Sequence, residues 1–388
     1  NDRSDLAAGR NLSVGAGGSI QSTKAVTLNA TAGDLASAGL LTVGDTLTAK
    51  AGNDLTLGGS TSSVGNVALD AGHDLALPGA ISTKGNAQLT AGNTASLSGT
   101  AAVAGNTTIQ SGVDTIVGGS VQTNGFSAVA GGSISLNNVQ ANGDLVAQAK
   151  GTTGGGDITI AGNVQGVGTG TLTAARDATV SGTLQTASAL TLDAGRNTTV
   201  AGAAQSNGDV TMLARTGSVS GTGNILAGGN LAANAAQAIS LAGTALTKGN
   251  AQLVAGSNVS VGGTTTALGS VTVQSGGDTQ ISGALASGST TSLRVGGNLS
   301  VGGSVFAGTD ATLNVARGFN LSGQLTAQQN GRLQAGTDLT GGGSLGFGQS
   351  ANLLAGSNVF LTGKLLSNSL AVQAGNSVGL QDVQVGGP

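Results

Sequence analysis

Cysteine, tryptophan and tyrosine are absent from this chain of 388 residues, and histidine occurs once. Without Cys, and with a single His, neither a disulfide framework nor a Cys/His metal centre can be assembled, and no cofactor is expected. Glutamate is missing as well, since all 17 acidic residues are Asp. Proline appears only at Pro78 and Pro388, and the aromatic residues are five Phe. Charged residues make up 8% of the chain, and its 14 Lys and Arg are scattered without a cluster, which argues against a nucleic-acid partner. No apolar run approaches the roughly 18 residues of a membrane-spanning helix, so membrane insertion is not expected. The opening Asn1-Asp2-Arg3-Ser4-Asp5 has no charged segment followed by an apolar one, and so does not read as a signal peptide.

Glycine fills much of the space these absences leave, with 71 residues. There is almost no Pro and no strict Gly-X-Y period, which excludes collagen. Disorder is excluded by a hydrophobic content of 38% and a net charge of only -3. The abundant Gly, Ala, Thr, Ser, Val and Asn favour strands and turns over helices.

A period of about 20 residues organises the sequence. Small pairs recur at Ala51-Gly52, Ala71-Gly72, Ala91-Gly92 and Ser111-Gly112, and again at Ala255-Gly256, Ser275-Gly276, Val295-Gly296, Ala335-Gly336 and Ala355-Gly356. Between these anchors apolar residues alternate with a period of two, as strands require. One repeat runs Leu75, Leu77, then Ile81, Thr83, then Ala87, Leu89, Ala91; another runs Leu299, Val301, Val305, Ala307, Ala311, Leu313, Val315. Each repeat therefore predicts three short strands. Such a unit cannot bury an apolar face alone, but stacked coils of a parallel β-helix can. An antiparallel up-and-down sheet is the structural competitor, and it would need two strands per repeat. The expectation is an all-β parallel β-helix of about 19 coils, one continuous domain over residues 1–388, with longer coils at 9–33 and 151–175. The second of these holds Gly151-Thr152-Thr153-Gly154-Gly155-Gly156, read as a small loop pushed out of the wall.

The corners carry most of the polar chemistry. Asp or Asn recurs two residues after the anchor, as at Asn11, Asp54, Asp74, Asp114, Asp177, Asn197, Asn258, Asp278, Asn298, Asp338 and Asn358. A second corner reads Gly65-Asn66, Gly85-Asn86, Gly105-Asn106 and Gly249-Asn250. Glycine is expected there for positive φ, and stacked Asn amides for ladders about 4.8 Å apart. Asp54, His73 and Asp74 converge at one corner, where they could hold a cation or move a proton, with Asp70 at a different corner. The same position is Asn in other coils, so the three are read as solvated corner residues. No catalytic, cofactor-binding or metal residue is assigned. Phe319 falls on the inward alternation and Phe360 reads as an exposed exception. A phosphate loop is excluded because Gly154-Gly155-Gly156 has no Lys-Ser/Thr after it.

The run Ala51-Gly52-Asn53-Asp54-Leu55-Thr56-Leu57-Gly58-Gly59 resembles the repeat signature of the filamentous haemagglutinin family, the exoproteins of two-partner secretion that include contact-dependent inhibition toxins. So does Ala255-Gly256-Ser257-Asn258-Val259-Ser260-Val261-Gly262-Gly263. The resemblance implies a right-handed single-stranded β-helix, secreted and displayed at the surface of a Gram-negative bacterium. It further implies a structural shaft that projects an adhesive or toxic tip, and not an enzyme. The partners it implies are an outer-membrane two-partner secretion transporter and a receptor or glycan on a host or neighbouring cell. A shaft that itself binds glycans or extracellular matrix is the alternative; an enzyme of the polysaccharide-lyase kind is more remote, given the scarcity of charge. Because both ends break off within the repeat, the chain reads as a segment of a much longer protein.

Overall fold

A computed structural model describes residues 3–386. The described residues contain strands and no helix, wound as a parallel β-solenoid of about 19 turns of about 20 residues. The chain divides into two compact units, residues 1–194 and 195–388. Both are built from the same turn.

In the first unit one turn consists of Leu47–Ala51, Leu55–Leu57 and Ser60–Ser63. The next consists of Val67–Ala71, Leu75–Leu77 and Ala80–Thr83. Equivalent strands pair in parallel, so that Leu47, Val67 and Ala87 sit side by side, as do Leu55, Leu75 and Ala95. The second unit repeats the pattern in Leu299–Val301, Ser304–Ala307 and Ala311–Val315. Three parallel strands per turn rule out the antiparallel alternative. The five-residue strands form one wall, and the three- and four-residue strands form two further walls of a second sheet.

Alternation sorts the side chains. Leu75, Leu77, Ile81, Thr83, Ala87, Leu89 and Ala91 all point inward and are buried, as are Leu299, Val301, Val305, Ala307, Ala311, Leu313 and Val315. Each stacks on its equivalent one turn away, so the core of each unit is a bundle of apolar columns. Full burial of one Leu or Val stabilises by roughly 1.5–3 kcal/mol, and every internal turn repeats that gain. Phe319 and Phe126 are fully buried, whereas Phe360 and Phe306 face outward.

Hydroxyls replace apolar residues at several inward positions, most often at the end of the four-residue strand. Ser63 Oγ donates to Asp45 O at 2.6 Å, and Thr123 Oγ1 donates to Gly105 O at 2.9 Å. Thr83 and Thr247 bond in the same way to Gly65 O and Gly229 O. These buried hydroxyls find their acceptors in corner carbonyls, most of which also take a backbone N–H, as Asp45 O does from Gly65 N at 3.0 Å and Gly105 O from Asn124 N at 2.8 Å.

The glycine corners differ from expectation. Among the described residues positive φ occurs only at Gly151, Gly154, Gly155, Gly156 and Gly341. The repeated corner glycines are required instead by close approach of the neighbouring turn. A Cβ on Gly59, Gly79 or Gly99 would lie 1.9–2.0 Å from the carbonyl oxygen of the corresponding glycine one turn earlier. The loop at 151–156 does take left-handed backbone, and it folds back against the wall: Thr152 N donates to Gly131 O at 2.7 Å and Thr153 Oγ1 to Gly112 O at 3.2 Å.

Two adjacent glycines provide a test. The nearest atom to a Cβ on Gly58 is 3.8 Å away, and equivalent positions already hold Ala38, Pro78 and Ser98. Gly59→Ala is therefore expected to destabilise by about 1–3 kcal/mol through overpacking against Gly39 O. Gly58→Ala should be neutral or stabilising by up to about 1 kcal/mol. Chemical denaturation of the two variants should show this opposition, and equal effects would contradict the close-approach account.

Candidate functional site

The densest polar arrangement lies at the corner between the five-residue and three-residue strands. In one turn after another, a side-chain oxygen here accepts the backbone N–H of the equivalent residue in the following turn. Asp54 N donates to Asp34 Oδ1 at 3.3 Å, Asp74 N to Asp54 Oδ1 at 3.0 Å, and Thr94 N to Asp74 Oδ1 at 3.0 Å. In the second unit Asp278 N donates to Asn258 Oδ1 at 2.8 Å and Asn298 N to Asp278 Oδ1 at 2.7 Å. Asp and Asn interchange because only an acceptor oxygen is needed. The Gly-Asn corner works in the same way, with Asn86 N bonded to Asn66 Oδ1 and Asn106 N to Asn86 Oδ1, both at 2.8 Å. These ladders run from side chain to backbone, and the expected side-chain amide bonds supplement them in some turns, as where Asn298 Nδ2 donates to Asp278 Oδ1 at 3.2 Å and Asn124 Nδ2 to Asn106 Oδ1 at 3.1 Å.

The residue preceding the acceptor supplies a second donor. Asn53 Nδ2 reaches Asp34 Oδ1 at 2.7 Å, and Asn93 Nδ2 reaches Asp74 Oδ1 at 2.7 Å. His73 occupies the position between Asn53 and Asn93, and its Nδ1 lies 3.0 Å from Asp54 Oδ1 and 3.2 Å from Asp74 Oδ2. Arg176 does likewise, with Nε 2.7 Å from Asp157 Oδ1 and a guanidinium nitrogen on Oδ2. Asp34 and Asp157 escape the sequence pattern because extra residues in their turns displace the anchors.

Asp54, His73 and Asp74 thus meet, with ligand atoms within 4.8 Å of one another. Their chemistry is that of the corners above and below: His73 takes the donor place that Asn fills in adjacent turns. Asp54 Oδ1 already accepts from Asp74 N and faces His73, and Asp74 Oδ1 accepts from Asn93 and Thr94. Asp70 proves not to stand at a corner. It lies outward on the strand Val67–Ala71 and pairs with Lys50 at 2.9 Å. Alternation of Ala-Leu-Asp-Ala places it there, since Leu69 and Ala71 point inward.

Asp144 has a carboxylate whose titration is shifted by its hydrogen bonds. Thr169 donates to it from its backbone N at 2.7 Å and from its hydroxyl at 2.8 Å, and these bonds hold the carboxyl below the usual carboxylate range. Asp144 also borders a shallow hollow with Asn106, Asn124, Phe126 and Val146. Two further hollows open on the five-residue wall of the first unit, one beside Gln110, Gln148 and Lys150, the other beside Lys50, Asp70 and Gln88. Thr and Gln dominate their rims, and nothing in them pairs a nucleophile with a base.

Residues 222–305 match the family model described as a hemagglutinin repeat. Its repeats are those of the filamentous haemagglutinin family. The match falls within the second unit, and the hemagglutinin repeat of residues 222–305 has the same corners and three strands as the turns of the first. No curated protein and no solved structure matches the chain.

Two outcomes test the corner chemistry. His73→Asn should leave stability within about 0.5 kcal/mol of the parent, because Asn53 and Asn93 make the same bond; a large loss on denaturation would assign His73 another role. For Asp144, a folded-state pKa depressed below 3.8 means that its bonds contribute stability above that value, lost as pH falls through the lower folded value. Asp144→Asn keeps an acceptor oxygen but does not titrate there. Its stability should therefore fall less steeply on acidification than that of the parent in pH-dependent denaturation.

Proposed function

We propose that the chain is a structural shaft of a large secreted exoprotein at the surface of a Gram-negative bacterium, carrying an adhesive or toxic activity away from the cell. The observation that supports this most is how its polar groups are used. Corner carboxylates and amides bond to the next turn, buried hydroxyls bond to corner carbonyls, and inward residues stack on their own equivalents. Chemistry of that kind extends a repeat and turns over no substrate, so the reading is not an enzyme. The hemagglutinin repeat at residues 222–305 supports the secreted, exoprotein part of the proposal.

The absence of Cys fits export through an outer-membrane two-partner transporter, since a chain threaded largely unfolded cannot carry a disulfide formed beforehand. Each turn contacts its neighbours, so folding can proceed turn by turn as the chain emerges. Secretion should then depend on the core. Leu89→Asp, which buries a carboxylate in place of a fully enclosed side chain, should slow the appearance of the protein outside the cell several-fold. A secretion rate indifferent to that change would overturn the coupling of folding to export.

The second reading is that the shaft itself contacts glycans or matrix. The three hollows on the wall of the first unit favour it, since their Gln, Asn, Thr and Lys rims offer donors and acceptors in a row. Saturable binding on a glycan array, abolished by replacing Gln110 and Gln148 with Ala, would displace the pure-spacer reading.

A further inference from the structure

The four-residue wall changes character early in the second unit, where Gln205 gives way to Leu226. Its second outward position runs through Ser62, Ser82, Ala102, Gln122, Gln140 and Gln165 in successive turns of the first unit. In the second unit the same position holds Leu226 and Leu246 in adjacent turns, then Phe306 and Leu366 further along. These four side chains are 39–42% exposed. Between them the column is filled by Thr266, Ala286, Thr326 and Gly346, so the column itself carries no charge over eight consecutive turns. Outward apolar residues add nothing to the core.

We propose that this column is an interface between two copies of the chain, packed wall to wall with their axes antiparallel. The column itself carries the argument. Turning one copy by 180° about the strand direction places each column opposite itself, with the two-fold axis between the turns of Ala286 and Phe306. Phe306 then faces Ala286 of the second copy, Leu246 faces Gly346, Thr266 faces Thr326, and Leu226 faces Leu366. Large residues meet small ones and like meets like, a self-complementarity that an isologous contact requires. A parallel arrangement would turn about the long axis, exchange left for right and set the two columns of the wall across from one another. The flanking positions agree with the antiparallel pairing: Lys364 faces Asn224 and Lys248 faces Gly348, so no cation meets a cation.

Eight turns at about 4.8 Å, across a wall about 13 Å wide, offer on the order of 500 Å² per copy and 1,000 Å² in all. That is the lower bound for a specific interface, so pairing is expected to be weak and concentration-dependent, on the order of micromolar to millimolar. Shafts crowded on one surface would meet at such concentrations, whatever they carry.

Sedimentation equilibrium of the whole chain should show a monomer–dimer equilibrium in that range. Phe306→Asp and Leu246→Asp should each weaken it at least tenfold, while Gln165→Asp leaves it unchanged, with circular dichroism confirming the sheet in every variant. Because the chain lacks Cys, orientation can be read by oxidation. A mixture of Leu226→Cys and Leu366→Cys chains should yield a disulfide-linked pair that neither forms alone. Cross-linking of either variant with itself would overturn the antiparallel arrangement, and a dimer indifferent to Phe306→Asp would overturn the interface. A chain that stays monomeric at 1 mM overturns the proposal too, as does one that instead binds phosphatidylcholine vesicles through these residues.

Discussion

Translation by about 20 residues onto an identical neighbour is the constraint on which the rest of this structure depends. In a parallel solenoid each strand hydrogen-bonds to strands one turn before and one turn after it, so any feature placed at a corner must be compatible with a copy of itself about 4.8 Å away. Glycine recurs where the backbone of one turn runs under that of the next, as Gly79 does over Gly59. An acceptor recurs where an N–H would otherwise have no partner, as Asp54 does beneath Asp74. Inward hydroxyls recur where a corner carbonyl of the neighbouring turn lies within reach to accept them. A helix or an antiparallel sheet meets such demands locally, within a few residues. Here they are met across a whole turn.

That distance explains what could be read from the sequence. The strands were legible because alternation is local: Leu299, Val301, Val305, Ala307 and their equivalents one turn later declare the inward set without knowledge of any partner. The stacking was legible because the period is nearly constant. The reason for the corner glycines was not, since glycine at a turn suggests positive φ, and the carbonyl that excludes a Cβ from Gly59 belongs to Gly39. The ladders were half legible. Spacing brought Asp54 over Asp74, but the donor is a backbone N–H, which leaves no trace in residue type. Asp and Asn therefore look like variants of an amide stack, whereas what they share is an acceptor oxygen, to which Asn298 and Asn358 add a donated amide bond.

The cluster of Asp54, His73 and Asp74 shows the same limit at a candidate site. Its members could be placed together by counting, and a lone His between two carboxylates suggests a ligand set. Comparison with the turns on either side decides the matter, because Asn53 and Asn93 hold the same place and make the same bond. In a repeat structure each turn is a control for its neighbour. A residue that departs in type while keeping the bond has been substituted conservatively, however unusual it looks in isolation. Outward residues were the least legible, since alternation says that Phe306 faces away from the core but not which side chains lie beside it. Its neighbours Ala286 and Thr326 are each 20 residues off.

Inward and outward positions are thus under separate control. The core columns are common to the turns, and the glycines and acceptors that recur in most of them fix the winding, whereas the outward column of the four-residue wall passes from Gln-rich up to Gln205 to apolar from Leu226 with no change in strand length. Low charge follows from the same division. Ladders built on acceptor oxygens and backbone N–H groups need no counter-ions, so Asn suffices where Asp is absent and a charged pair such as Arg176 with Asp157 is confined to single turns. The outward surface of a stretch of wall can consequently change turn by turn, at a cost to folding limited to the exposed side chain itself. The number of turns and the character of the walls are therefore independent variables of the same repeat.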